Sequence, residues 1–138
     1  MPSEPVPPPP LRVHVDPERA AAYARETGYR GAGVPFAYPA VWLSAKAVRD
    51  AIAKVCEDAE AVPVHESQTF SYMAPLRFDE EYDLAVAFRS EETPPRLILD
   101  ATVATLAGEP IARIETMLRI VPRAGLAGAA ASLSGASS

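Results

Sequence analysis

The sequence predicts one α+β domain in which a curved antiparallel sheet wraps a single long helix. Three observations lead there. Apolar residues recur at helical spacing between Val41 and Val55, and with period two from about residue 66 onward. The last three strand-like runs then follow one another through short turns. A chain of 138 residues, 49% of them hydrophobic, suits one domain with one core.

Charge and composition narrow the function classes. Net charge is −5 and the thirteen Lys and Arg residues do not cluster, so the basic stripe that displaces counterions from nucleic-acid phosphates is missing. No apolar run approaches the roughly 18 residues of a membrane span. The opening Met-Pro-Ser-Glu and the prolines after it carry neither a basic n-region nor an apolar h-region, so no signal peptide is expected. The single cysteine, Cys56, excludes an intrachain disulfide, and its neighbours Ile52, Val55 and Ala59 favour a small buried hydrophobe over a reactive thiol. The expected setting is soluble and cytoplasmic.

Both ends read as flexible tails. Residues 1–10 hold six prolines, and residues 123–138 are rich in Ala, Gly and Ser, with too little apolar area to offset the entropy of ordering. The folded domain is expected over 11–122. Within it Leu11–Val15 alternates as a short strand. Asp16-Pro17-Glu18 has the chemistry of a helix start, with an oxygen-bearing cap, a proline at the first helical position and an acid in the first turn. That helix should stop at Gly28, and a glycine-marked loop, Gly31 to Pro39, leads to the next element. Val41, Ala45, Val48, Ile52 and Val55 then draw one apolar stripe, predicting a single central helix over 41–55 with Ile52 buried. Strands follow at 66–73, at 82–89 with Tyr82, Leu84, Val86 and Phe88 on one face, at 96–106, and at 111–121 with Ile114, Thr116, Leu118 and Ile120 on one side. Strand, short helix, loop, long helix and four strands make the hotdog arrangement.

Three stretches of that arrangement resemble the MaoC-like hydratases and dehydratases of acyl thioesters. Asp16 to Gly28 is similar to the family's first helix, ending Tyr-Ala-x-x-x-Gly. Val34-Pro35-Phe36-Ala37-Tyr38-Pro39 resembles the approach to the long helix in non-catalytic and N-terminal MaoC-like halves. Val64 to Leu76 is similar to the strand Val-His-x-x-Gln-x-Phe-x-Tyr-x-x-Pro-Leu. The resemblance implies a hotdog that takes acyl-CoA or acyl-carrier-protein thioesters as ligands without another cofactor. Active members carry Asp-x-x-x-x-His on the loop before the long helix, a proton acceptor and donor at one reacting centre. Here Gly31 to Ala40 contains no Asp, Glu, His, Ser or Cys, and Arg77-Phe78-Asp79-Glu80 stands where the family has Gly-Asp. The resemblance therefore implies a substrate-binding subunit, expected as a homodimer or as a heterodimer with a catalytic hotdog.

Few residues remain that could do chemistry. His14 reads as a surface or packing residue. His65 opens a strand beside Glu66, but successive strand residues face opposite ways, so a direct contact between them requires a bulge. It reads as a structural or edge histidine, and it is also the weak catalytic candidate of the alternative function, a divergent enoyl-thioester hydratase or acyl thioesterase. Asp100 reads as an outward strand position, and Asp50, Glu57 and Asp58 as solvated helix carboxylates. Any of these would be the acid of a thioesterase-like variant. Two distant histidines and one cysteine offer no metal-ligand spacing. Tyr38 and Trp42, one helical turn apart, either line an acyl tunnel together with His65 or belong to the core or an interface.

Overall fold

The structure, a computed structural model, describes residues 6–31 and 33–124. The flexibility expected of residues 1–5 and 125–138 falls outside the described residues. The elements run β1 (Leu11–His14), α1 (Pro17–Thr27), a 3-10 helix (Tyr38–Ser44), α2 (Lys46–Asp58), β2 (Ala61–Tyr72), β3 (Glu81–Glu92), β4 (Pro95–Thr105) and β5 (Pro110–Pro122). The strands form one sheet in the order β1-β3-β4-β5-β2, antiparallel at every pair. This is the α+β arrangement that the element order predicts.

Period-two patterning decides which sheet face is covered. Tyr82, Leu84, Val86 and Phe88 are all buried, as are Leu97, Leu99, Ala101 and Val103 beside them on β4. Ile114, Thr116, Leu118 and Ile120 continue that face on β5. Each large apolar side chain removed from water here contributes about 1.5–3 kcal/mol. The opposite face carries charge. Arg89 reaches both Asp100, at 3.2 Å, and Glu115, at 3.1 Å. Asp100 and Glu115 are directly opposite across β4 and β5, a like-charge pair that Arg89 neutralises.

Helix α1 begins and ends as its sequence dictates. The Asp16 carboxylate accepts from the Glu18 amide at 3.0 Å, Pro17 occupies the first turn, and Gly28 takes the left-handed backbone at φ 75°. The single helix expected over 41–55 is not observed. Tyr38–Ser44 winds as a 3-10 helix, Ala45 is extended at φ −57°, ψ 146°, and α2 starts only at Lys46. Two tethers explain the break. The Trp42 indole donates to the His14 carbonyl at 3.1 Å, and the Tyr38 hydroxyl accepts from the Asp16 amide at 3.2 Å. They bind this segment to the β1–α1 junction in a tighter turn than an α-helix permits, and Ser44 Oγ closes its end on the Val41 carbonyl.

The break alters the buried stripe. Val48 and Val55 are buried, but Val41, Ala45 and Ile52 are only half-buried. Ile52, expected in the interior, lines an open apolar groove of about 390 Å³ between the C-terminal half of α2 and the start of β2. Cys56, on the same groove, is buried as expected, and desolvation pushes its thiol up from the ordinary value.

β2 begins five residues earlier than its alternation suggested, because Pro63 is tolerated on an edge strand. A register shift between His65 and Ser67 marks a bulge at Glu66. The bulge does not turn Glu66 toward His65. It delivers the carboxylate to Arg96, at 2.7 Å, and Arg119, at 3.0 Å. Hydrogen bonding from Arg96, then from Arg119, holds the Glu66 carboxyl at about 2, below its ordinary 4.5. A depressed carboxyl stabilises the fold fully above its unfolded value and loses that contribution as pH falls through about 2. Glu66→Gln should therefore lower the urea midpoint at neutral pH, with the gap to wild type closing between pH 4.5 and 2. A gap that stays constant over that range would show that the ion pairs carry no pH-dependent stability.

Candidate functional site

Where β2 runs out, the loop after α1 folds back against it and leaves a cleft of about 490 Å³. One wall comes from Tyr29, Gly33, Val34 and Phe36, the other from Tyr72 and the segment Met73 to Leu76. This volume lies in the range that binds small molecules. The local sequence explains the shape. Gly33, at φ 94°, lets the loop double back, and Pro35 is buried beneath it. Phe36 then lies across the strand end, its ring 4.9 Å from that of Tyr72 and 5.8 Å from that of Phe70, and its carbonyl accepts from the Tyr72 hydroxyl. Phe36 and Met73 each remain 57% exposed, so the mouth of the cleft is apolar.

The chemistry of the lining is restricted. Its ionisable side chains are the phenols of Tyr29 and Tyr72, and no described lining residue is a carboxylate, imidazole or thiol. Burial, with a smaller contribution from Tyr23, pushes the Tyr72 phenol up to about 12. At neutral pH it is a hydrogen-bond donor already committed to Phe36. Such a cleft can hold an apolar chain and offer neutral donors to a polar group. It cannot take up a proton at neutral pH.

The site residues expected from sequence are not brought together. Tyr38 and Trp42 stand in the core, 1% and 7% exposed, with rings 5.9 Å apart and Trp42 against Tyr82 at 6.3 Å. They border a smaller recess beside His14 and Asp16 and do not line the cleft. His65 is exposed on β2, seven residues before Tyr72, or roughly 20 Å along the strand. Asp100 is engaged by Arg89, Asp50 by Lys46 and Asp58 by Lys54, while Glu57 borders the groove on α2. Among the described residues no three metal-ligating side chains cluster, and no helix is long and apolar enough to cross a membrane.

Sequence reasoning did not single out Tyr29, Phe36, Tyr72 or Leu76 as site residues. Two signals were available: the three glycines at 28, 31 and 33 that bracket Tyr29, and the aromatic positions of the two motif stretches. Neither states that the stretches meet, which depends on the loop folding back onto the end of β2.

No protein family's profile matches this chain, and no curated protein matches its sequence. Solved structures do. The HadBC (3R-hydroxyacyl-ACP dehydratase) complex of Mycobacterium tuberculosis is similar at TM-score 0.58 and 13% identity, over 81% of this chain and 92% of that one. The ChsH1–ChsH2 complex of Mycobacterium tuberculosis is similar at 0.58 and 13%, over 86% and 90%. Slr0204, a 1,4-dihydroxy-2-naphthoyl-CoA thioesterase from Synechocystis, is similar at 0.56 and 11%, over 83% and 82%. At these identities the likeness establishes the fold, which is the hotdog.

Proposed function

We propose that this chain binds acyl thioesters, as acyl-CoA or acyl-carrier-protein conjugates, and serves as the non-catalytic subunit of a 3-hydroxyacyl dehydratase or enoyl hydratase. One observation carries the reading: the cleft beside the loop 33–36 is shaped for an apolar ligand, and none of its described side chains takes up a proton at neutral pH. Hydration of an enoyl thioester requires a base to deprotonate water and an acid to protonate the α-carbon. Tyr72, held at about 12 and bonded to the Phe36 carbonyl, does not supply that base. Hotdogs of the same shape include a dehydratase complex acting on acyl-ACP and a thioesterase acting on an acyl-CoA, which makes an acyl thioester the natural occupant.

A catalytic hotdog partner follows from the same reading. The twelve-residue edge strand β2 leaves a row of unpaired backbone groups that another sheet would satisfy. The HadBC and ChsH1–ChsH2 structures are both complexes, in keeping with such pairing. No observation favours the alternative of an enzyme built on His65, which lies seven residues before Tyr72 on β2 and does not line the cleft.

The test is calorimetric. Octanoyl-CoA titrated into the purified chain should bind with a Kd on the order of micromolar. Ala74→Trp, which fills the cleft from its half-buried wall, should weaken that binding at least about tenfold while the fold persists. Absence of binding by the wild-type chain, or equal binding by the Ala74→Trp variant, would refute occupancy of this cleft.

A further inference from the structure

The end of α1 fixes one cleft residue with unusual economy. The amides of Gly28 and Tyr29 both donate to the Ala24 carbonyl, the second at 3.0 Å, so the main chain of Tyr29 is held by the last turn of the helix. Its ring lies over Gly31. A β-carbon at that position would stand 2.7 Å from Tyr29 Cζ, closer than such atoms approach, and a tight 3.2 Å from Cε1. Glycine at 31 therefore leaves the phenol its place.

That phenol lines the cleft, yet it makes no hydrogen bond to any described residue. No buried side-chain oxygen lacks a partner in the described structure, so the Tyr29 hydroxyl is open to solvent or ligand. The other phenol, Tyr72, is spent on the Phe36 carbonyl. The rest of the lining is aliphatic, aromatic, thioether or glycine. Among the described residues, Tyr29 is thus the cleft's uncommitted side-chain donor, set beside apolar walls. A neutral donor in such a wall matches a neutral acceptor, since a charged headgroup would be desolvated there without a counter-charge.

We infer that the Tyr29 hydroxyl donates a hydrogen bond to the acyl carbonyl of the bound thioester and so positions that carbonyl in the cleft. The inference rests on the acyl-thioester reading above and names the residue that would orient the ligand for a partner's catalytic groups. Tyr29 here is a positioning residue, and no bond is made or broken by it.

The experiment compares two ligands of equal length. Octanoyl-CoA has the carbonyl; the S-octyl-CoA thioether has a methylene in its place. By calorimetry Tyr29→Phe should weaken octanoyl-CoA about five- to tenfold and leave the thioether unchanged. Equal weakening of both ligands would mean that the ring only packs, and no change in either would mean that the hydroxyl is idle. Either result overturns the inference while leaving the acyl-thioester reading intact. If the wild-type chain binds neither ligand, the acyl-thioester reading itself falls, and the role of Tyr29 with it.

Discussion

Assayed alone on crotonyl-CoA and on longer enoyl thioesters, the chain is expected to give no hydration above the buffer rate. A missing general base commonly removes about 10²–10⁴ in rate, and a hydratase without base or acid keeps little beyond orientation. The cleft offers no substitute. Tyr72, at about 12, stays protonated through the range in which such assays run, so raising the pH to about 9 should not recruit it. His65→Ala run in parallel separates the two readings. Turnover on the order of once per second by the wild type, lost in His65→Ala, would sink the binding-subunit reading and make His65 the catalytic group. Added to a catalytic hotdog that binds it, the same chain is expected to raise turnover of long acyl substrates above that of the partner alone.

The largest stability effect is expected at Trp42. Its indole packs against Tyr38 and Tyr82 and donates to the His14 carbonyl, joining the 3-10 helix to β1 and to the sheet. Trp42→Ala removes that volume and leaves the carbonyl without its partner, at a cost of about 3–5 kcal/mol. Ile52→Ala, at a half-buried groove position, should cost no more than about 2 kcal/mol, at the bottom of the range for interior aliphatic truncation. Urea unfolding of both variants checks the order. A Trp42→Ala loss below about 1 kcal/mol would indicate a loosely packed indole, as at a tunnel mouth, in place of a core residue.

Much of the fold was legible because short-range chemistry dictated it. Asp16, Pro17 and Gly28 bound α1 through groups that act within a few residues, and the alternation on β3 and β5 records which face meets the core. The lack of carboxylate and imidazole side chains between Gly31 and Ala40 was legible for a simpler reason: a side chain that is not in the sequence cannot be supplied by folding. Other features were not written locally. An apolar stripe from Val41 to Val55 is compatible with one straight helix, and only the tethers of Tyr38 and Trp42 to the β1–α1 junction, 22 and 28 residues away, break it at Ala45. The same holds for Glu66, whose partners Arg96 and Arg119 lie 30 and 53 residues distant and reach it through a bulge that no periodicity announces.

Residue type and local spacing thus carry the order of the strands, the bounds of α1, the buried sheet face and the lack of carboxylate and imidazole side chains over 31–40. Long-range packing is what places Tyr38 and Trp42 in the core, sets Ile52 beside an open groove, and brings Tyr29, Phe36 and Tyr72 together around the cleft. Those outcomes depend on where a glycine-jointed loop comes to rest against a strand more than thirty residues further along the chain. That resting place is set by packing and hydrogen bonds across the fold, to which local propensity is blind.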